Sequence, residues 1–83
     1  METDMDPNQF RTHDLYFAAY LKTAQVPFLG TETSDGGRMA FVFERVPQVR
    51  DLKNQFFTRK AKVSAMTYAD EIKGLKTLTH MAD

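Results

Sequence analysis

The segment Asp35-Gly36-Gly37 separates two stretches that favour β-structure, and it constrains the fold of this chain more than any other feature. Residues 28–33 precede it and residues 38–43 follow it, and both are rich in β-branched and aromatic side chains. Asp-Gly and Gly-Gly pairs adopt positive φ angles at little cost, which a tight primed turn requires. The pattern therefore predicts a β-hairpin.

A helix is predicted ahead of the hairpin, from a cap at Thr12 to about Ala24, before Pro27. Residues 15–21 are seven consecutive apolar residues, which cover nearly the whole circumference of a helix. One sheet face cannot bury such a run. Either the helix lies centrally between layers, or its surplus face meets a partner.

Tyr16 and Tyr20 are four residues apart and share one face of this helix. Tyrosine suits a partly solvent-exposed position, because its ring can be buried while its hydroxyl stays hydrated. These two residues are therefore the candidate interface for a protein partner or a homodimer. The alternative is that they only border the core.

Two more helices are predicted after the hairpin. Pro47 suits the first turn of the second helix, whose inward stripe is Val49, Leu52 and Phe56. Ser64 caps the third helix, whose buried stripe is formed by Tyr68, Ile72, Leu75 and Leu78. Gly74 inside this helix costs about 1 kcal/mol relative to alanine, which indicates either close packing there or a cost that the fold simply tolerates. Short extra strands are possible additions, one at residues 8–11 and one at residues 61–63.

The composition limits the number of domains and excludes several kinds of functional site. A chain of 83 residues makes one domain, with residues 1–9 as a flexible acidic segment and residues 10–83 as the folded part. The absence of cysteine excludes disulfides, thiolate metal sites and a cysteine nucleophile. Residues 1–6 lack the apolar core of a signal peptide, and no apolar run approaches the roughly 20 residues of a membrane span. A cytoplasmic protein with no membrane association is expected.

No constellation of residues points to catalysis, a cofactor or a metal. The histidines, His13 and His80, lie at opposite ends of the chain, whereas a metal site needs three or four converging ligands. Ser34 is expected in the turn and Ser64 at a helix cap, so neither resembles an activated nucleophile. The chain is therefore expected to be non-enzymatic, with no cofactor.

Residues 45–62 hold six bases against one acid, although the whole chain has zero net charge and a pI of about 6.7. This segment supports the alternative of a nucleic-acid-binding accessory protein that contacts phosphate through a basic helix face. The residues that would make the contact are Arg50, Lys53, Arg59, Lys60 and Lys62. The simpler interpretation is that they form a solvated surface.

Residues 38–43 partly resemble the aromatic strand of RNA-recognition motifs, which stack bases on sheet aromatics. Met39 stands where that motif has glycine, and Glu44 stands where it has its final aromatic. Alternation along the strand places Phe41 and Phe43 on one face, where they are more simply core residues.

Several stretches together resemble an uncharacterised domain-of-unknown-function family of small bacterial and phage proteins. They are residues 10–21, 27–30, 37–38, 41–43 and 59–65, followed by the closing helix. The family pattern has a glycine near position 25, where this chain has Gln25. The resemblance implies a small domain associated with phages or mobile elements, and it implies no activity.

The sequence thus predicts a small α+β domain, with an antiparallel hairpin packed against three helices. The leading function is an interaction module that recognises a protein partner, or a second copy, through an apolar helix face.

Overall fold

The computed structural model describes residues 8–34 and 36–81, with the side chain of Met81 left aside. It contains three helices and one three-stranded antiparallel sheet, which confirms the α+β class. In chain order the elements are β1 (Gln9–Thr12), α1 (Leu15–Thr23), β2 (Phe28–Thr33), β3 (Met39–Glu44), α2 (Gln48–Phe57) and α3 (Ala65–Met81). Most of the predicted acidic segment, residues 1–9, lies outside the described residues. Asp35 lies outside them as well.

The predicted hairpin is formed by β2 and β3, which pair antiparallel up to Thr33 and Met39. The connection is longer than a two-residue turn, because the Ser34 N–H donates to the Arg38 carbonyl at 2.8 Å and closes the loop there. Gly36 and Gly37 have φ angles of 90° and 82°, a region that L side chains rarely adopt. The glycines therefore serve the purpose predicted for them, in a wider loop.

The sheet has the order β1-β3-β2, so β3 is the central strand. The predicted extended piece at residues 8–11 becomes β1, whereas residues 61–63 form no strand. Phe41 and Phe43 enter the core under the helices, as their alternation predicted. RNA recognition by stacking on these rings is therefore ruled out in this conformation.

Ala40 and Val42 alternate with Phe41 and Phe43, and they are buried without belonging to the core cluster under the helices. The Arg11 guanidinium on β1 reaches across β3 to the Glu32 carboxylate on β2, with Nε to Oε1 at 2.8 Å and Nη2 to Oε2 at 3.0 Å. The hydrogen bond from Arg11 and its charge hold the pKa of the Glu32 carboxyl below its usual value. The strand registers place this bidentate pair beside Ala40 and Val42, since Arg11 pairs with Val42 and Glu32 with Ala40.

Helix α1 is central in the domain. Its five successive residues 17–21 are all at most 3% exposed. The sheet covers one side, α2 stacks Phe56 on Tyr20 with ring centroids 5.4 Å apart, and α3 joins Glu71 to Lys22 at 3.1 Å. Of the two predicted outcomes for the apolar run, the structure shows the first, in which the helix lies between layers.

The cap of α1 differs from the prediction. Asp14, rather than Thr12, is the N-cap, and its Oδ1 accepts from the backbone N–H groups of Tyr16 and Phe17 at 2.9 and 3.0 Å. The Thr12 hydroxyl instead accepts from the Asp14 N–H at 3.1 Å. Because Thr12 is the last residue of β1, its backbone stays in the sheet.

Replacing Asp14 by alanine is expected to lower the free energy of unfolding by about 1 kcal/mol, because two N–H groups at the start of α1 lose their acceptor. Chemical denaturation followed by circular dichroism measures the change. Thr12→Ala is the matched control and removes one exposed hydrogen bond, so its effect should be smaller. An equal or larger loss for Thr12→Ala would restore the original assignment of the cap.

Helix α1 ends in a Schellman motif, in which the Val26 N–H donates to the Leu21 carbonyl at 3.0 Å and the Gln25 N–H to the Lys22 carbonyl at 2.9 Å. Gln25 occupies the left-handed position with φ 67°. A glycine at this position would relieve the strain that a side chain with positive φ causes.

We expect Gln25→Gly to raise the free energy of unfolding by about 0.5–1 kcal/mol, because glycine adopts positive φ without a Cβ clash. Ala24→Gly is the control, since Ala24 has φ −81° and gains nothing from glycine. Thermal unfolding of both variants measures the effect. A loss of stability in Gln25→Gly equal to that in Ala24→Gly would contradict the assignment.

Helices α2 and α3 bury the stripes that their spacing predicted. Val49 and Leu75 are buried, and Leu52, Phe56, Tyr68, Ile72 and Leu78 pack around them. The Tyr68 hydroxyl donates to the Tyr16 carbonyl at 3.1 Å, and burial, with lesser effects of Asp14 and Tyr16, raises the pKa of Tyr68. Ser64 caps α3, accepting from the Thr67 N–H at 3.4 Å.

Gly74 is exposed on α3, and a Cβ built on it meets nothing within 4 Å. Of the two interpretations of this glycine, close packing was wrong, and the open space agrees with a glycine that is simply tolerated. Gly74→Ala should therefore stabilise the domain by about 0.5–1 kcal/mol through helix propensity alone. A rise in the midpoint of thermal unfolding is the expected result, and a fall would show a packing constraint on this face.

Candidate functional site

An open groove of about 820 Å³ lies between the start of the sheet and α2. Phe10 of β1 and Phe57 of α2 contribute the floor, while the connection from β3 to α2 and the rest of one face of α2 contribute the walls. The lining residues are Phe10, Arg45, Val46, Pro47, Val49, Arg50, Lys53, Asn54 and Phe57. The volume is in the range of about 300–1,000 Å³ that is typical of ligand sites.

Helix α2 presents two stripes with different surroundings. Val49, Leu52 and Phe56 pack in the core, where Val49 also borders the groove. Arg50, Lys53 and Asn54 recur at three and four residues on the groove side, which continues to Phe57. The double aromatic Phe56-Phe57 therefore splits between the core and the groove. Helix α2 is held in place by its inner stripe, and this makes the groove side a fixed surface.

The floor of the groove is aromatic. The ring of Phe17 lies beneath it, with the Phe10 ring at 5.9 Å and the Phe57 ring at 5.4 Å between centroids. Phe17 is buried, but Phe57 is 57% exposed, which is unusual for a phenylalanine. An exposed ring backed by buried rings is a ready contact for an apolar side chain.

The rim of the groove is cationic. Arg45, Arg50 and Lys53 are all exposed, and none of the described lining residues is acidic. The Arg45 guanidinium lies over the Phe10 ring, 5.8 Å from its centroid. Within the described residues, the ion pairs found involve Arg11 and Lys22 rather than these three cations. The groove thus combines an apolar floor with a positive rim.

The two tyrosines predicted as a protein interface have different environments. Tyr16 is 52% exposed, but Tyr20 is only 3% exposed. The Tyr20 hydroxyl donates to the Gln55 side-chain oxygen at 3.2 Å, so α2 covers the residue. The partly hydrated placement predicted for Tyr20 was wrong, because α2 packs over Tyr20 and leaves Tyr16 exposed.

The five predicted phosphate-contact residues lie on two elements. Arg50 and Lys53 are on α2 at the groove, whereas Arg59, Lys60 and Lys62 follow the end of α2 at Phe57. Arg59 takes the left-handed position of a second Schellman motif with φ 63°, and the Lys60 N–H donates to the Gln55 carbonyl at 2.8 Å. They do not form one helix face.

Sequence reasoning missed Phe10, Arg45 and Phe57 as groove residues. The signal for Phe57 was present, since only one of two adjacent phenylalanines can join a helical stripe. Phe10 and Arg45 had no such signal, because the antiparallel pairing of β1 with β3 brings them together from distant parts of the chain.

The described residues outside the groove offer little support for a metal site or a membrane span. In residues 8–34 and 36–81, no three acidic or histidine side chains converge as metal ligands. The His13 Nδ1 lies 2.8 Å from the Met39 carbonyl, at the surface. Among the helices described, none is both long and apolar enough to span a bilayer.

Comparison with known proteins places the chain in a family. Neither the curated proteins nor the solved structures include a significant match to this chain. A family model described as a domain of unknown function, DUF5659, matches residues 7–81. The match extends from just before β1 to the end of α3, and on this basis the chain belongs to the DUF5659 family.

Proposed function

We propose that this chain is a non-enzymatic interaction module that binds a protein partner through the groove beside α2. The observation that carries the proposal is Phe57, an exposed ring on a rigid aromatic floor next to three cations. Aromatic and arginine side chains that converge at a concave site are enriched among residues that dominate binding energy. The groove replaces the apolar face of α1 as the proposed surface, because that face is buried within the domain.

The groove favours a protein over a nucleic acid as partner. Phosphate contacts need exposed cations but no apolar floor, and the cations predicted for this purpose are divided between α2 and the segment after it. Binding of single strands would use the exposed Phe57 ring for stacking, which keeps nucleic acid as the second candidate. Its affinity would fall steeply as salt concentration rises.

A second copy of the chain is the other partner that the sequence predicted. Tyr16 remains exposed, but its neighbour Tyr20 contributes no surface. Light scattering at high micromolar concentration tests this alternative. A dimer that becomes a monomer in the Tyr16→Ala variant would support it. The cytoplasmic location and the association with phages or mobile elements stay predictions of the sequence.

Selection from a random peptide library tests the proposed function and does not require the natural partner. The immobilised full-length chain selects peptides, which are then measured against Lys53→Glu and against the matched control Lys73→Glu on α3. Lys73 is exposed and lies outside the groove. We expect selected peptides to lose affinity for Lys53→Glu only. A selection that yields no peptide sensitive to Lys53→Glu would refute the proposed groove.

A further inference from the structure

We infer that the groove recognises an acidic peptide segment with one large apolar anchor side chain. This inference rests on the proposed function and names the chemistry of the partner. Two observations point to it independently: the charge of the rim and the apolarity of the floor.

The rim selects for negative charge. Arg45, Arg50 and Lys53 surround the groove, and no carboxylate among the described lining residues neutralises them. Carboxylates of a ligand would meet these cations in a partly desolvated concave site, where charge complementarity speeds association and excludes basic competitors. A neutral or basic peptide would reduce the hydration of three cations without offering any of them a carboxylate.

The floor selects for an apolar anchor. Phe57 is 57% exposed, and it rests on Phe17 and Phe56, with ring centroids 5.4 and 5.1 Å away. Phe10 forms the opposite side of the floor and is only partly buried. A phenylalanine or leucine side chain of a ligand would cover both rings and remove their exposed edges from water.

The dimensions fit a peptide. The groove follows α2 from Pro47 to Phe57, and α2 has 10 residues. At a rise of about 1.5 Å per residue this face is about 15 Å long, which matches about five residues of extended chain. Because the groove is open to solvent along one side, a free acyl chain would stay partly in water, whereas a peptide presents one anchor inward and its carboxylates to the rim.

Fluorescence anisotropy with a defined probe tests this inference on the full-length chain. The probe is a labelled synthetic peptide of about ten residues, with one phenylalanine flanked by Asp and Glu on both sides. Comparison probes replace the phenylalanine with serine, replace the acids with lysine, or are a single-stranded DNA of similar charge. We expect the acidic probe to bind, with loss of the phenylalanine weakening affinity by about tenfold or more.

Matched variants locate the contact. Phe57→Ser is paired with Met66→Ser, since Met66 is 79% exposed and lies outside the groove. Lys53→Glu is paired with Lys73→Glu. We expect each groove variant to weaken binding by about fivefold or more and each control by less than about twofold. Circular dichroism of each variant checks that it is folded.

The outcomes separate the two proposals. Equal effects of groove and control variants, or equal binding of the lysine-containing probe, would overturn the inference. Binding of the DNA probe at least as tight as that of the acidic peptide would favour nucleic acid instead and would also overturn it. If library selection yields peptides that depend on Lys53 but lack acidic residues, the acidic-peptide inference fails while the proposed function stands.

Discussion

Replacing Phe17 by alanine is expected to lower the free energy of unfolding by about 3–5 kcal/mol. Phe17 is 1% exposed, and its ring contacts those of Phe10, Phe56 and Phe57 at centroid distances of 5.9, 5.2 and 5.4 Å. Alanine would leave a cavity where β1, α1 and α2 meet. Because native proteins have a total stability of about 5–15 kcal/mol, this loss would remove a large fraction of the free energy of unfolding.

Urea denaturation of Phe17→Ala and of the adjacent Tyr16→Ala measures this contrast. Tyr16 is 52% exposed, and Tyr68 contacts its backbone carbonyl, which alanine retains. We therefore expect Tyr16→Ala to cost less than about 1 kcal/mol. A comparable loss for the two variants would contradict the central position of α1 between layers.

Substitution of the adjacent phenylalanines on α2 should give opposite results for stability and for binding. Phe56→Ala is expected to cost about 2–4 kcal/mol, because its ring stacks on Tyr20 at 5.4 Å and packs on Phe17 at 5.2 Å. Phe57→Ala should cost about 1 kcal/mol or less, because much of its ring is already in water. Binding of the acidic peptide should be lost in Phe57→Ala under conditions where the variant is fully folded.

Thermal unfolding and anisotropy on the same samples measure both quantities. The contrary result is a large stability loss in Phe57→Ala with unchanged peptide affinity in the folded fraction. It would show that Phe57 belongs to the core and that its exposure has no role in binding.

Local patterns predicted most of the fold. Alternation in residues 38–43 identified β3 and the inward direction of Phe41 and Phe43, and the spacing of Val49, Leu52 and Phe56 identified the inner face of α2. These predictions succeeded because each depends on burial of one face of one element. The cap at Asp14 was missed because Thr12 pairs with Phe41 and therefore stays in β1. Local residue preferences cannot predict such a nonlocal contact.

The candidate site was less accessible to prediction. The apolar run of α1 predicted either burial between layers or a docking surface, and only the packing of α2 and α3 decides between them. Arg50 and Lys53 were identified as an exposed basic pair, but their relation to Phe10 and Arg45 depends on the register of β1 against β3. A site assembled from the strand pairing and the loop before α2 has no sequence periodicity of its own.

Nuclear magnetic resonance of the isotope-labelled full-length chain, titrated with the acidic peptide, locates the binding surface residue by residue. We expect the largest amide shift changes at Phe10, at Arg45 and on the groove side of α2, from Arg50 to Phe57. We expect little change at Tyr16 and along α3. Changes centred on Tyr16 or on Arg59, Lys60 and Lys62, or no changes at millimolar peptide, would contradict binding in the groove.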